Sequence, residues 1–262
     1  MITITFNKCI ASMHQLTNKE LLRYDRQITL KGFDIDKQMI LKHRSALIIG
    51  LGGLGCSASL YLASAGIGHL TLVDFDTVSE SNLNRQILYT AQSLKQKKVL
   101  AAKQALSQHN PDIRIDIISQ QLDDNALAHH IAQHDIVLDC SDNIQTREQI
   151  NACCYRLRKP LISGAAIRME GLLSVFTYQK DTPCYQCLSQ LFGRETLTCV
   201  EAGVMAPLVG VIGSLQALEA IKVLTHYGQP LINRLLMIDM MTMQFNEVKF
   251  TKWANCPICH AH

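Results

Sequence analysis

Two pairs of cysteines have the spacing that most clearly predicts chemistry in this chain. They are arranged as Cys184-Tyr-Gln-Cys187 and Cys256-Pro-Ile-Cys259. Thiolates at this spacing can bind one metal ion together, and two such pairs complete a tetrahedral zinc site with four cysteine ligands. The gap between the pairs is far longer than in a zinc finger, so we expect a structural Zn²⁺ that joins remote segments of one fold. Redox dithiols and free core cysteines are the alternatives.

A glycine-rich segment, Gly50-Leu-Gly-Gly-Leu-Gly55, has the G-x-G-x-x-G pattern between a predicted strand and a predicted helix. Glycines at these positions let a phosphate approach backbone N–H groups at a helix N-terminus. Asp74 ends the next predicted strand, where a carboxylate can accept hydrogen bonds from ribose hydroxyls. The pattern therefore predicts a nucleotide site, and NAD is the usual ligand of this fingerprint. Glycines used only for helix–strand packing are the alternative.

Basic residues after Asp74 argue against NAD. Arg85 is predicted near the same sheet edge, and Lys97-Lys98 follows it. Arginine and lysine converging on one ligand suit a triphosphate, whose charge is larger and more concentrated than that of a pyrophosphate. The spacing is equally consistent with two solvent-exposed lysines at the start of a helix.

Asp142 and Asn143 follow a predicted strand that ends at Cys140. The carboxyl ends of the strands are where open α/β sheets bind ligands. A carboxylate there could hold Mg²⁺ against phosphate oxygens. Both residue types are also favoured helix N-caps, and one can cap while the other binds the metal.

Composition excludes several classes of protein. The 262 residues are 48% hydrophobic and 18% charged, with a formal net charge of +3. This is ordinary for a soluble globular protein and gives no reason to expect nucleic acid as the main partner. We see no secretory signal at the N-terminus. The most apolar stretch, 202–224, carries Gln216, Glu219 and Lys222 at every third position, which favours a buried amphipathic helix over a membrane span.

The cysteines outside the two pairs indicate a reducing compartment. Six of the ten cysteines show no pair spacing, which with the absence of a signal favours the cytoplasm. One of the six, Cys199, lies in a predicted long loop, 183–203. A loop cysteine can be a nucleophile, but a small half-buried thiol is the commoner role.

The hydrophobic pattern predicts a Rossmann-like α/β fold with a largely parallel central sheet. Strands that alternate more clearly extend this sheet in antiparallel fashion. We expect residues 1–18 to form a weakly ordered extension and 19–262 a single domain. The predicted strands are 45–49, 69–73, 114–119, 135–140, 160–165, 172–178, 235–238 and 244–250, and the predicted helices are 19–28, 56–65, 94–109, 125–133 and 146–158.

From Leu21 to Cys259 the chain resembles the bacterial adenylyltransferases that activate ubiquitin-like sulfur carriers, relatives of the ubiquitin-activating enzymes. Segments 164–171 and 198–207 look most like the branch that serves molybdenum cofactor biosynthesis, and the thiamine branch is the runner-up. The motifs that carry the resemblance are Arg23-Tyr-Asp-Arg26-Gln, the glycine-rich segment, Ser81-Asn-Leu-Asn-Arg85-Gln, Asp139-Cys-Ser-Asp142-Asn143 and both cysteine pairs.

The resemblance implies that the carboxylate of a carrier's C-terminal Gly-Gly attacks the α-phosphate of ATP, which yields an acyl adenylate and pyrophosphate. It implies that Gly53 and Asp74 bind the phosphates and the ribose. Arg85 and Lys98 would contact phosphates with help from Asn82, and Asp142 would hold Mg²⁺. The remaining residues of the implied ATP site are Ser81, Leu83, Asn84 and Asn143.

The resemblance also implies a homodimer, because the arginine that matches Arg26 reaches the active site of the partner subunit in that family. Arg26, Arg85, Lys98 and Asp142 form the implied catalytic set, and no general base is required. The chain ends at His262, so we expect sulfur to come from a separate protein. The competing hypotheses are an NAD-dependent oxidoreductase and a non-catalytic scaffold that is stabilised by zinc and binds partner proteins.

Overall fold

A computed structural model describes residues 16–192 and 202–260. Cys199 and residues 1–15 of the predicted extension lie outside the described residues. The helices, in chain order, are α1 (Asn18–Arg23), α2 (Asp25–Ile28), α3 (Asp34–Lys42), α4 (Gly53–Ala65), α5 (Lys98–His109), α6 (Asp124–Ala132), α7 (Ile144–Leu157), α8 (Tyr185–Ser189) and α9 (Ala206–Thr225). The strands are β1 (Ser45–Ile49), β2 (His69–Val73), β3 (Arg114–Ile118), β4 (Ile136–Asp139), β5 (Leu161–Ile167), β6 (Glu170–Phe176), β7 (Arg234–Asp239) and β8 (Gln244–Lys249).

The strands form one sheet in the order β3-β2-β1-β4-β5-β6-β7-β8. Pairing is parallel from β3 through β5 and antiparallel from β5 through β8. The predicted fold class is therefore confirmed. The chain runs from β1 to β2 and β3 on one side and then crosses to β4 on the other side. In open α/β sheets, ligands bind in the crevice where the strand order reverses in this way.

Apolar side chains on both faces of the central strands explain why the sheet is covered on both sides. Every residue of β4 is buried, whereas every residue of the edge strand β8 is exposed. Residues of α4, α5 and α9 form one core with the sheet, and residues of α6, α7 and α8 form a second. Parallel sheets are stable mainly when both faces are covered in this way.

Helix α9 fills the first core and brings polar groups into it. Within the described ranges it is the one helix long and apolar enough to cross a membrane, and 56% of its apolar window is buried inside the fold. The predicted polar stripe points inward: Gln216 donates to the Asp139 carbonyl at 2.7 Å, and Glu219 accepts from the Leu231 N–H at 2.8 Å. The prediction of a buried helix is confirmed, with these side chains satisfied by backbone partners.

The element boundaries differ from the prediction where local hydrogen bonds decide them. The predicted helix 19–28 is two helices, because the chain turns at the buried Tyr24. The predicted helix 94–109 begins only at Lys98, after a short 3₁₀ turn over Ala91–Ser93. Helix α3 was missed, since it buries only Gln38 and Leu41 and shows little periodicity. The predicted long loop contains α8.

Candidate functional site

The turn after β1 lies directly against the end of β4. Gly50 has a φ of +92°, a conformation that L side chains rarely adopt, and a Cβ there would lie 2.6 Å from the Cys140 carbonyl oxygen. A Cβ on Gly55 would lie 1.9 Å from the Gly50 carbonyl oxygen. Both positions therefore require glycine for a tight turn at the point where the strand order reverses. Helix α4 starts here with Gly52 as its N-cap and no side-chain cap.

Side chains from three other segments fix the backbone of this turn. The Leu51 N–H donates to Asp74 Oδ2 at 2.7 Å. The Leu51 carbonyl accepts from the Tyr89 hydroxyl at 3.0 Å and from the Cys56 thiol at 3.5 Å. Burial raises the pKa of Cys56 to about 12, so the thiol keeps its proton at neutral pH. The start of α4 is thus held in one orientation, with its first N–H groups at the sheet edge.

Asp74 has a structural role that its motif does not reveal. Its second oxygen, Oδ1, accepts from the Asp76 N–H at 2.9 Å, and its side chain is 9% exposed. Both oxygens therefore already accept one backbone hydrogen bond. A carboxylate has about four lone-pair sites, so Asp74 can still accept a bond from a ribose hydroxyl.

Lys98 is buried beside Asp74. Its Nζ lies 2.8 Å from Asp76 Oδ2 and 4.0 Å from Asp74 Oδ2. This excludes the solvated helix start that the sequence left open for Lys98. Lys97 is exposed, and its Nζ donates to the Phe75 carbonyl at 2.7 Å. The two adjacent lysines therefore have different roles, and only Lys98 places its charge at the tip of β2.

Arg85 lies on a short segment that packs against the glycine turn. Its Nη1 donates to the Ser81 carbonyl at 2.8 Å and to Asn84 Oδ1 at 3.0 Å. The next residue, Gln86, is buried, and its Nε2 lies 3.9 Å from the position that a Gly52 Cβ would take. Gln86 Oε1 is buried without a hydrogen-bond partner in the described part of the chain. The Arg85 segment therefore lies close to the start of α4 at Gln86.

The segment that contains Arg85 also holds the other predicted ATP contacts. Asn82 ends a 3₁₀ turn, Glu80–Asn82, and its Oδ1 accepts from the Ser79 N–H at 3.2 Å. Leu83 is half-buried and packs against the first core, while Ser81 and Asn84 are exposed. The segment therefore presents polar groups to solvent at the sheet edge.

The structure separates the two roles that the sequence left open for Asp142 and Asn143. Asn143 is the N-cap of α7, and its Oδ1 accepts from the Thr146 N–H at 2.9 Å. The Asp142 side chain is exposed and accepts a long bond, 3.4 Å, from Asn143 Nδ2. Asn143 therefore caps the helix, and the Asp142 carboxylate remains accessible for a cation.

Arg26 is the one member of the predicted catalytic set that lies away from this edge. The adjacent Gln27 donates to the carbonyl of Ala65, the last residue of α4, at 3.0 Å. Helix α4 has 13 residues, so its two ends are about 20 Å apart. The Arg26 side chain is 96% exposed and pairs at 3.6 Å with the neighbouring Asp25. Within one chain, Arg26 is remote from Arg85 and Asp142.

The two cysteine pairs come together between α8 and the end of the chain. Sγ–Sγ distances are 3.9 Å for Cys184–Cys187, 3.6 Å for Cys184–Cys256 and 3.4 Å for Cys187–Cys259. All four ligand atoms lie within 4.8 Å of one another, and all four residues are buried. Zn–S bonds of about 2.3 Å place the sulfur atoms of a tetrahedral site about 3.8 Å apart. The cluster therefore has the ligands and the approximate dimensions of a metal site.

Hydrogen bonds within the cluster favour a thiolate at Cys187. Bonds from the Cys184 thiol and from the Trp253 N–H lower the pKa of Cys187, while the same bond between the two thiols and burial raise the pKa of Cys184. Asn151 of α7 donates to Cys184 Sγ at 3.8 Å and accepts from the Tyr185 N–H at 3.0 Å. A metal ligand needs a deprotonated sulfur and a fixed direction. These contacts favour the first at Cys187 and supply the second at Cys184.

Comparison with known proteins identifies the family. The sequence model described as the ThiF family matches residues 24–258. The chain belongs to the ThiF family. It is 57% identical to the molybdopterin-synthase adenylyltransferase of Salmonella typhimurium, over 94% of this chain and 99% of that protein. It is 58% identical to the protein of the same name from Escherichia coli, over the same shares. The resemblance drawn from the motifs, and the adenylyltransferase class, are confirmed.

Other similar proteins differ in length or in name. The chain is 43% identical to the adenylyltransferase and sulfurtransferase MOCS3 of Drosophila virilis, covering 94% of this chain but 55% of that protein. Among solved structures, E. coli MccB with ATP is 25% identical with a TM-score of 0.79, over 90% of this chain and 74% of that one. The fold that surrounds the glycine turn here is thus similar to that of a protein solved together with ATP.

Tertiary contacts identify further residues of this ThiF-family site that motif reading missed. Tyr89 and Cys56 hold the glycine turn, Gln86 lies beside it, and none of them has a spacing signal of its own. Gln86 follows Arg85 directly, so the quoted motif included it without giving it a role. For Tyr89 the sequence offers no signal, because its partner Leu51 is distant along the chain.

Proposed function

We propose that this chain catalyses the ATP-dependent adenylation of the C-terminal Gly-Gly carboxylate of a small ubiquitin-like sulfur carrier, the small subunit of molybdopterin synthase, with release of pyrophosphate. The observation that carries the proposal is the position of the predicted phosphate-binding residues. The start of α4, the Arg85 segment, Lys98 and Asp142 all lie at the carboxyl ends of β1, β2 and β4. The identity to named adenylyltransferases, up to 58% over almost their full length, supports it.

In this proposal the triphosphate of ATP lies across the strand tips. The free N–H groups at the start of α4 and the guanidinium of Arg85 bind phosphate oxygens, because both place positive charge at the same edge. Lys98 adds a buried positive charge, and Asp74 binds the ribose. Breaking the Arg85 bonds to Ser81 and Asn84 frees the guanidinium for the nucleotide.

Asp142 fits the role of a magnesium ligand. Its carboxylate is exposed, whereas the Ser141 hydroxyl beside it donates to Asp139 and the Asn143 side chain accepts from the Thr146 N–H. Mg²⁺ is usually bound by one or two carboxylates together with phosphate oxygens. The ion would neutralise charge on the phosphates when bound. Asn143 supports the site by capping α7 and holding the backbone next to Asp142.

The chemistry requires orientation rather than a protein nucleophile. The attacking carboxylate is already ionised, so no general base is needed. The enzyme must hold this carboxylate in line with the leaving pyrophosphate and offset the developing charge. Arg85 and Lys98 would supply positive charge for that task, and Asp142 would hold the Mg²⁺ that supplies the rest.

We further propose that Arg26 completes the site of a second copy of this chain. The side chain is almost fully exposed and remote from the Arg85 edge of its own chain. An arginine in that position can serve catalysis only across a dimer interface. A homodimer is therefore part of the proposal.

The cysteine cluster is proposed to hold a structural Zn²⁺. Its four buried sulfurs leave no ligand position for a substrate, which is the arrangement of closed structural zinc sites. All eight cysteines within the described residues are free of disulfides, in keeping with the reducing cytoplasm proposed from the sequence. Sulfur for the activated carrier would come from a separate donor protein.

The experiment that tests the function is ATP–pyrophosphate exchange by the purified protein with Mg²⁺. Exchange should occur with the molybdopterin-synthase small subunit and disappear when the two terminal glycines of that carrier are removed. Exchange only with the thiamine-pathway carrier would reassign the substrate. Binding of NADH in place of ATP, with no exchange, would contradict the proposal.

A further inference from the structure

The turn that carries Asp142 is held by a buried cluster of polar side chains, which we call the β4 clamp: Asp139, Ser141, Arg147 and Ser163. Arg147 and Asp139 are 8% and 1% exposed. Isolated buried charges are costly, so a buried ion pair at the edge of a ligand site needs an explanation. None of the four residues is among the predicted nucleotide contacts.

The Asp139 carboxylate is the centre of the β4 clamp. Its Oδ1 accepts from the Ser141 N–H at 3.0 Å and from the Ser141 hydroxyl at 2.6 Å. Its Oδ2 accepts from the Ser163 hydroxyl at 3.2 Å and lies 3.5 Å from Arg147 Nη1. The carboxylate therefore fixes the first half of the turn that leads to Asp142.

Arg147 fixes the second half of the same turn. Its Nη2 donates to the Ser141 carbonyl at 2.5 Å, and its Nη1 donates to the Ser163 hydroxyl at 3.4 Å. The peptide N–H and the carbonyl of Ser141 are thus both bound by buried side chains. On the other side of Asp142, Asn143 is fixed as the helix cap. Asp142 stands between two fixed residues, and its carboxylate projects to solvent.

We infer that Arg147 is a positioning residue, which acts through the Ser141 carbonyl to aim the Asp142 carboxylate at the cation that accompanies ATP. The inference rests on the proposed function. It follows from the geometry of the guanidinium, which binds a carboxylate, a carbonyl and a hydroxyl at once. A lysine could pair with Asp139 but could not hold all three groups in one plane. The Asp139–Arg147 pair is close to neutral as a unit, so Asp142 supplies the accessible negative charge at this tip.

The test uses equilibrium binding of ATP with and without Mg²⁺, which needs no carrier protein. Arg147→Lys should weaken the Mg²⁺-dependent gain in ATP affinity by roughly 10- to 100-fold, the usual cost of losing a residue that supports a metal ligand. Binding of ATP without Mg²⁺ should stay within about twofold of the wild type, in the range of independent sites. Arg156→Lys is the matched control, since Arg156 lies on the same helix and is exposed.

A double-mutant cycle with Asp142→Asn distinguishes positioning from general stability. If Arg147 acts through Asp142, Arg147→Lys should have little further effect on Mg²⁺ dependence once Asp142→Asn is present. Additive losses, or a lowered Tm with unchanged Mg²⁺ dependence, would overturn the inference. Ser163→Ala loosens the same clamp without removing a charge, so it tests the inference even where Arg147→Lys does not fold. It should shift the Mg²⁺ dependence in the same direction by a smaller factor, and an unchanged dependence in this variant contradicts the inference.

The two proposals can fail separately. A wild-type protein that binds ATP with Mg²⁺ but shows no exchange with any Gly-Gly carrier contradicts the proposed function. The Mg²⁺ dependence of ATP binding in the Arg147 variant is measured regardless of that result.

Discussion

The strand tips around Arg85 and the cysteine cluster differ in how far their polar side chains are exposed to solvent. At the strand tips, Asp142 and Ser81 are exposed and Arg85 is only partly buried. In the cluster, all four cysteines are buried and their sulfur atoms lie within 4.8 Å of one another. Helix α7 lies between the two, because its N-cap is next to Asp142 and its Asn151 contacts Cys184. In the proposed function, the first region therefore binds the nucleotide and the second stabilises the fold.

Loss of one cluster ligand should have the largest effect on the fold. Cys256→Ser should release the metal and lower Tm strongly, since Zn²⁺ in finger peptides contributes roughly 10–16 kcal/mol. Zinc content and thermal unfolding measure both effects. Cys153→Ser is the control, because Cys153 is buried but lies outside the cluster. A Cys256→Ser protein with wild-type Tm would remove the distinction between the two regions.

Arg85→Ala should have the opposite effect: it should lower the rate of the reaction and leave the stability of the fold unchanged. Removing one preorganised donor to a transition-state charge costs about 100- to 1000-fold in rate. We therefore expect ATP–pyrophosphate exchange to fall by that factor, while Tm, zinc content and the dimer stay unchanged. Arg114→Ala is a control on the amino end of β3, where the side chain is 70% exposed. An unaltered exchange rate in Arg85→Ala would exclude this residue from the mechanism.

The glycine turn allows a finer comparison within the first region. Gly55→Ala should destabilise the protein by about 1–3 kcal/mol, because the new Cβ meets the rigid backbone of Gly50. Gly52→Ala meets only Gln86 Nε2 at 3.9 Å, so it should cost less, about 0.5–1 kcal/mol, because alanine is a poor N-cap for α4. Urea unfolding gives both values. Equal effects of the two substitutions would show that the turn tolerates a side chain at either site.

The smallest expected effect is a pH dependence of stability that arises at the edge of the sheet near β3, outside both regions. Burial lowers the pKa of His134 below its ordinary value of 6.5, so the folded state binds fewer protons than the unfolded state below that pH. Stability from this group is complete above about pH 6.5 and is lost as the pH falls toward the folded-state pKa. The urea midpoint should therefore drop between pH 7.5 and 5.5.

Two substitutions test whether His134 causes that drop. His134→Gln should reduce the pH dependence, because the titrating group is removed. His43→Gln should leave it unchanged, since His43 is exposed. A pH dependence that is identical in all three proteins would assign the effect to other groups.

Features that depend on local sequence could be predicted, and features that depend on tertiary contacts could not. The central strands, the glycine turn and the cysteine pairs have short-range signals, so their positions follow from the sequence. Asp142 and Asn143 have the same capping propensity, and only the bond from Thr146 decides between them. Likewise, the burial of Lys98 depends on Asp76, which lies distant in sequence.

The buried supports of the site were the least predictable part. Tyr89 reaches the Leu51 carbonyl, and Arg147 reaches Ser141. Neither tyrosine nor arginine at these positions has a pattern that indicates such a partner. Their roles follow from the sheet order, which brings the ends of β1 and β4 together.

A crystal structure of the protein with Mg²⁺ and a non-hydrolysable ATP analogue tests the central claim most directly. We predict that the phosphates contact the first N–H groups of α4 and the Arg85 guanidinium, with the metal ion bound by the Asp142 carboxylate. A triphosphate bound elsewhere, or a metal ion held away from Asp142, would contradict the account.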